Sequence, residues 1–189
     1  LRETYHIRNL PHLYIKNETY FITFRLANSI PIVKLKQLRA EAKSNNGRIF
    51  EKYDELLHTR EYGLKYLALP EIADLIAQSM LDLNNKEFIL ICYTIMPNHV
   101  HLVFELLPNS VGISKIMKQI KGSTARKSNL ILNRTGEFWQ RESFDRVIRN
   151  ERELNLIIKY VLLNPVKCGL VQQWSDWNYT YYCEKIETL

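Results

Sequence analysis

The 189-residue chain has little cysteine, glycine or proline. Cys92, Cys168 and Cys183 are odd in number and far apart. That spacing argues against a disulfide framework or a cysteine-based zinc site and fits a reducing cytoplasm. Six glycines are scattered along the chain, and none builds a phosphate-binding glycine loop or a nucleophile elbow. No apolar run reaches spanning length, so a membrane partner is not expected. The chain opens at Leu1 rather than methionine and shows no secretory leader. Internal repeats and low-complexity segments are absent from the sequence. What remains is 46% apolar and 24% charged, the composition of a soluble globular domain.

Charge is present, and it is localised. The formal net charge is +6. Between Val111 and Arg152 ten basic residues face four acidic ones, an excess equal to that of the whole chain. The bases are Lys115, Lys118, Lys121, Arg126, Lys127, Arg134, Arg141, Arg146, Arg149 and Arg152. A basic block inside a folded region points to a polyanion, most simply nucleic acid, although any single lysine is as well explained by a solvated helix face.

Read in order, residues 1–17 form a polar, extended lead-in. TYFITFRL (Thr19–Leu26) reads as a strand, rich in aromatic and β-branched residues. Helical patterns follow over residues 33–43 and 48–59, and a third is opened by Pro70. This region, roughly 33–83, is expected to be a scaffold elaboration within one domain covering residues 1–189. EFILICYTIM (Glu87–Met96) is apolar on both faces, as in a covered central strand. A long helix is expected from Gly112 to Asn133, with a bend at Gly122-Ser123-Thr124. EFWQ (Glu137–Gln140) and SFDRVI (Ser143–Ile148) read as short strands. Asn150 is an N-cap, and its helix should stop before Pro165. The tail, about 172–189, is dense in aromatics. It either straps the core or offers rings, Trp177 among them, for stacking on bases.

The chemistry gathers at MPNHVHLVF (Met96–Phe104). A strand there puts Val100, Leu102 and Phe104 on one face and His99, His101 and Val103 on the other. Pro97-Asn98 allows a tight antiparallel turn from the preceding strand. Two imidazoles on one face suit a single metal ion, though hydrogen-bonded core histidines read the same way.

Together with GEFWQRESFDRVIRNERE and IIKYVLLNPVKCGLV, this stretch resembles the single-tyrosine HUH transposases, and among them the REP-associated tyrosine transposases. The resemblance runs over most of the chain and helps least at residues 33–83. It implies an α+β, ferredoxin-like (RRM-like) antiparallel sheet with helices, of HUH endonuclease type. It further implies that His99, His101 and Asn164 ligate a divalent cation and that Tyr160 is the nucleophile. With no thiolate at hand, Mg2+ or Mn2+ is the expected ion. Tyrosine has a pKa of about 10 and is a poor nucleophile unaided, which is the need a cation meets. The product would be a 5′-phosphotyrosine and a free 3′-hydroxyl on single-stranded or hairpin DNA. Lys115, Lys118, Lys121, Arg126, Lys127, Arg141, Arg146, Arg149 and Trp177 are the expected DNA contacts. The oligomeric state stays open between monomer and homodimer. Three other readings compete. One is a hairpin-DNA-binding protein of the same fold that does not cut. Another is a sheet-based RNA-binding module, against which the paired histidines argue. The last is a replication initiator or relaxase, usually a larger protein with extra domains.

Overall fold

The computed structural model describes residues 4–7, 11–14, 17–31, 33–37, 49–58 and 63–183. The lead-in folds back on itself as a two-stranded hairpin, β1 (Thr4–Ile7) and β2 (Pro11–Tyr14), paired from Thr4↔Tyr14 to Ile7↔Pro11. It is therefore more ordered than an extended arm. The main sheet contains β3 (Thr19–Arg25), β4 (Phe88–Ile95), β5 (His99–Leu106), β6 (Phe144–Ile148) and β7 (Thr180–Tyr182). Its order is β6-β3-β5-β4-β7, and every neighbouring pair is antiparallel. The longer helices are α1 (Ile49–His58), α2 (Pro70–Leu81), α3 (Ile113–Ile131) and α4 (Glu151–Lys167). The run β3–α2–β4–β5–α3–β6, with strands ordered 4-1-3-2, is the ferredoxin-like α+β arrangement that the resemblance implies.

The sheet is covered on both faces, so its central strands are buried along almost their whole length. On one face Tyr20, Ile22 and Phe24 of β3 and Val100, Leu102 and Phe104 of β5 meet Ile72 and Ile76 of α2 and Ile113, Ile116 and Ile120 of α3. On the other, Phe21, Cys92 and Val103 meet Ile158, Val161 and Leu162 of α4. A bulge in β4 sets Leu90 opposite Phe104 and Cys92 opposite Val103. Ile91 and Cys92 therefore both join the α4 face, and the alternation resumes at Tyr93. The tight turn at Pro97-Asn98 is closed by Met96 N donating to His99 O at 2.8 Å.

Three local expectations change. Only Phe144–Ile148 of the two short segments is a strand. Phe138 and Trp139 instead turn into the α2/α3 core, leaving a single bridge between Trp139 and Leu26. α3 runs unbroken through Gly122. The Thr124 hydroxyl donates back to Ile120 O and accepts from the Trp139 indole at 2.9 Å, so its polar group is satisfied inside the helix. α4 continues past Pro165 to Lys167. The proline gives up one N–H bond, and its burial in the last turn holds the helix through it. The aromatic tail is a strap: β7 pairs on the β4 edge, and the Trp177 indole donates to Ile95 O at 2.9 Å.

Residues 33–37 are helical, while residues 38–48 lie outside the described residues. Gly63, with φ of +83°, has its backbone against that of Ser29. A Cβ there would stand 2.6 Å from Ser29 Cα, so only glycine fits.

The N-cap of α4 forms as read, with Glu153 N donating to Asn150 Oδ1 at 2.9 Å. Glu153 reaches back one residue further than the capping box requires, accepting from Arg149 N at 2.9 Å. Asn150→Ala should cost about 1 kcal/mol. Urea unfolding followed by circular dichroism measures it, and an unchanged midpoint would remove the cap from the account of α4.

Candidate metal centre and nucleophile

The site is built on β5, where the period of two turns His99 and His101 to the α4 face. Both rings are buried, and their Nε2 atoms lie 3.1 Å apart. Each ring is fixed from behind. Asn98 Nδ2 donates to Leu57 O of α1 at 3.0 Å, which leaves Asn98 Oδ1 as the acceptor facing His99 Nδ1 at 2.6 Å. The Nδ1 of His99 therefore carries the proton, and its Nε2 presents a lone pair. His101 Nδ1 meets the Thr23 hydroxyl of the neighbouring strand at 2.8 Å. A hydroxyl both donates and accepts, so His101 can hold its proton on either nitrogen. Phe21 stacks on the His101 ring at 5.6 Å between centroids.

Helix α1 closes the site. Arg25, buried on β3, donates from Nε to the Tyr53 hydroxyl at 2.6 Å and from a terminal nitrogen to Ser29 Oγ at 2.9 Å. With the Asn98–Leu57 bond this seats α1 so that Asp54 and His58, one turn apart, reach the imidazoles. Asp54 Oδ1 lies 3.2 Å from His101 Nε2 and 3.9 Å from His99 Nε2. Its Oδ2 lies 3.1 Å from His58 Nε2. One ligand atom from each of Asp54, His58, His99 and His101 falls within 4.8 Å of the others. Asp54 Oδ1 is buried and faces the two imidazole nitrogens.

These are residues that the sequence reading missed. The segment reads there as scaffold, since Asp-x-x-x-His on an amphipathic helix is a common surface pattern. The usable signal is the i, i+4 spacing of two ligand-type side chains, which becomes chemistry only once α1 is docked.

From α4, Tyr160 and Asn164 come to the same place. The Tyr160 ring packs edge-on to His101 at 5.4 Å and to Phe21 at 6.1 Å, with Lys167 Nζ 4.7 Å from its centroid. Asn164 is fully buried. Its Oδ1 lies 3.0 Å from His58 Nε2 and its Nδ2 3.2 Å from His101 Nε2. The expected His99, His101, Tyr160 and Asn164 are thus brought together.

The electrostatics follow from burial and charge. Burial, reinforced by His101, holds His99 well below its ordinary value of 6.5. Burial opposes ionisation of Asp54, but the hydrogen bond and charge of His101, with His99 and His58, outweigh it and keep the carboxyl ionised well below the usual range. Burial and the Asp54 charge push the Tyr160 hydroxyl up, so it is protonated at neutral pH. A carboxylate and two imidazole nitrogens aimed at one point, without thiolate, fit a divalent cation.

The basic block divides. Lys115, Lys118, Arg126 and Lys127 are exposed on α3, on the opposite side of the sheet from the imidazoles. A groove of about 780 Å³ beside α3 is lined by Lys118, Lys121 and Arg141, but equally by Glu137, Glu142 and Asp145. Lys121 is half-buried, and its ammonium donates to Gln140 O at 2.6 Å and Arg141 O at 2.9 Å. Arg146 pairs with Glu153, and Arg149 is exposed just before α4. Trp177 sits in the strap against Tyr179. No helix among the described residues is long and apolar enough to cross a membrane.

The model of one protein family, described as "Transposase IS200 like", matches residues 69–163, just over half of the chain. The chain belongs to that family. The matched segment holds His99, His101 and Tyr160; Asp54, His58 and Asn164 lie outside it. A REP-associated tyrosine transposase of Escherichia coli K12 is 26% identical over 98 residues, 52% of this chain and 56% of that one. A putative REP-associated tyrosine transposase of Haemophilus influenzae is 29% identical over 105 residues, 51% of this chain and 58% of its own. The matches thus span little more than half the length of these curated relatives. Among solved structures, a REP-associated tyrosine transposase bound to a REP hairpin superposes with a TM-score of 0.63 at 18% identity. That likeness covers 96% of this chain and 87% of the other, and it shows the fold.

The low value of His99 has a measurable consequence. Above pH 6.5 the ring is neutral whether the chain is folded or not. As pH falls below 6.5, the unfolded chain takes up a proton that the folded ring refuses. Stability of the metal-free protein should therefore decline with falling pH, by up to about 1.4 kcal/mol per unit from this group. Urea unfolding at pH 7.5, 6.5 and 5.5 in chelator tests it. His99→Gln should flatten the profile, and an equally steep decline in that variant would reassign the effect.

Proposed function

We propose that this chain is a transposase that cleaves and rejoins single-stranded or hairpin DNA, with Tyr160 as nucleophile. The observation that carries the reading is the Tyr160 ring packed 5.4 Å from that of His101, beside the imidazole pair. His99 and His101 would hold a divalent cation, Mg2+ or Mn2+. Bound there, it would withdraw charge from the non-bridging oxygens of a phosphodiester and orient it for in-line attack.

The chain's own residues do the rest. Phe21, His101 and Lys167 hold the Tyr160 ring on three sides, so the hydroxyl is positioned before substrate arrives. A bond forms between the tyrosine oxygen and phosphorus while the bond from phosphorus to the 3′ oxygen breaks. Overall the hydroxyl proton passes to the leaving 3′ oxygen. The products are a 5′-phosphotyrosine and a free 3′-hydroxyl. One phosphodiester replaces another, so rejoining is the same step in reverse and needs no nucleotide cofactor. The name of the structural neighbour, bound to a REP hairpin, supports hairpin DNA as the substrate class. The exposed α3 row faces away from the imidazoles. In this reading it grips backbone distant from the cleaved bond, and Arg149 lies nearer the α4 side.

Incubation with hairpin DNA and Mg2+ or Mn2+ should give a covalent protein–DNA band on a denaturing gel. Tyr160→Phe removes only the hydroxyl; it should change stability by no more than about 1 kcal/mol, keep DNA binding and abolish the band. A band from Tyr160→Phe would move the nucleophile to another tyrosine. A wild type that binds hairpins but never forms the band would make the protein a binder of the same fold.

The grip has its own signature. Affinity should fall with salt, and replacing Lys115 and Lys118 together by alanine should lower the log–log slope by roughly 1.4 on single strands. An unchanged slope would take α3 out of the DNA interface.

A further inference from the structure

We infer that the third protein ligand of the divalent cation is the carboxylate of Asp54, supplied by α1, and that Asn164 is a positioning residue for His58. The inference rests on the metal reading above and goes beyond it. It assigns the ligand set to a segment outside the family match, and it departs from the expectation that Asn164 coordinates.

Three distances carry it. The Nε2 atoms of His99 and His101 are 3.1 Å apart, and Asp54 Oδ1 lies 3.2 Å from one and 3.9 Å from the other. A cation holding its ligands at about 2.1 Å sets neighbouring ligands about 3 Å apart, and wider where the angle is obtuse. The three atoms are thus spaced as three corners of one coordination sphere. Their protonation fits as well. The Asn98 relay fixes a lone pair on His99 Nε2, and the Thr23 hydroxyl lets His101 present one too. Asp54 is a buried carboxylate whose Oδ1 faces both imidazole nitrogens. Three acceptors facing one another repel unless a proton or a cation lies between them. A carboxylate oxygen also suits a hard cation better than a third imidazole does.

Asn164 is arranged differently. Its oxygen turns to His58 Nε2 at 3.0 Å, and its amide nitrogen, which cannot ligate, is the atom facing His101. His58 in turn lies 3.1 Å from Asp54 Oδ2, the oxygen that points away from the imidazole pair. Asn164 Oδ1 and Asp54 Oδ2 thus share the one N–H that His58 Nε2 can offer, and the amide and the histidine together hold the carboxylate. Such outer partners fix a ligand without touching the metal.

A consequence follows for α1. If it delivers a ligand, cation binding fastens it to the sheet, adding to the bonds of Tyr53 and Leu57.

The test is Mn2+ binding by the full chain without DNA, measured by calorimetry and by the loss of the free-ion electron paramagnetic resonance signal. Asp54→Ala and Asp54→Asn should each weaken Mn2+ binding at least 30-fold, and the thermal stabilisation that Mn2+ gives the wild type should disappear. Asn164→Ala should weaken binding less than fivefold, with His58→Ala between. Circular dichroism confirms folding, and Asp54→Asn, nearly isosteric, serves if the alanine variant does not fold. Wild-type affinity in Asp54→Asn, or a loss in Asn164→Ala as large as in the Asp54 variants, would overturn the assignment. His99→Ala separates the two levels of the argument. If it loses Mn2+ while Asp54→Asn keeps it, only the third ligand is wrong. If His99→Ala also binds normally, the metal site itself falls.

Discussion

Two imidazole nitrogens held 3.1 Å apart in a buried position are the constraint on which this molecule turns. Left alone, such a pair either shares a proton or repels, and neither charge nor water is easily accommodated there. Each ring is held by a partner behind it, Asn98 for His99 and Thr23 for His101. Each partner ties the strand to something else. Thr23 belongs to β3, and Asn98 reaches the backbone of α1. The arrangement is costly for a protein that only needs to fold. An apolar pair in place of the histidines would bury at lower cost, so the pair is best understood as a binding device that the fold carries.

The two-faced sheet supplies the rigidity. One face of β5 is committed to Val100, Leu102 and Phe104 under α2 and α3, so the strand cannot slip by one residue without burying the histidines in that core. The other face admits α4 through Ile158, Val161 and Leu162. Tyr160 lies between these anchors on the same helix, so its height above β5 is set by apolar packing and by the cap at Asn150. Catalytic geometry is thereby placed on strands and helices rather than on loops.

The strand and helix patterns were readable because burial imposes period two on β3 and β5 and a capped apolar stripe on α4. His99, His101, Tyr160 and Asn164 stood in those patterns, and the resemblance gave the pairing that the patterns alone did not. What stayed hidden was tertiary. Asp54 and His58 look like any polar residues of an amphipathic helix until Arg25 and Asn98 dock it. Pro165 reads as a stop, because sequence does not reveal that the helix runs on to Lys167 with the proline buried. EFWQ has strand composition, but Phe138 and Trp139 gain more by entering the α2/α3 core than by pairing. The block of basic residues reads as one surface. In space it divides between the two sides of a sheet, and Lys121 is turned inward to backbone carbonyls.

Tyr160 joins these strands of argument. Burial and the neighbouring Asp54 carboxylate both disfavour a phenolate, so the residue rests as a neutral hydroxyl. That protects it from unwanted chemistry while the site is empty of substrate. The same carboxylate that suppresses ionisation faces His99 and His101, where a cation would neutralise it. A cation bound there would offset the Asp54 charge, one of the effects that hold the hydroxyl up, and the Lys167 ammonium lies 4.7 Å from the ring centroid. Burial remains, and it is relieved only if a phosphodiester and its solvation enter beside the ring. In the proposed reaction Tyr160 would thus be poised by subtraction: cation and phosphodiester would each take away one reason for it to stay protonated.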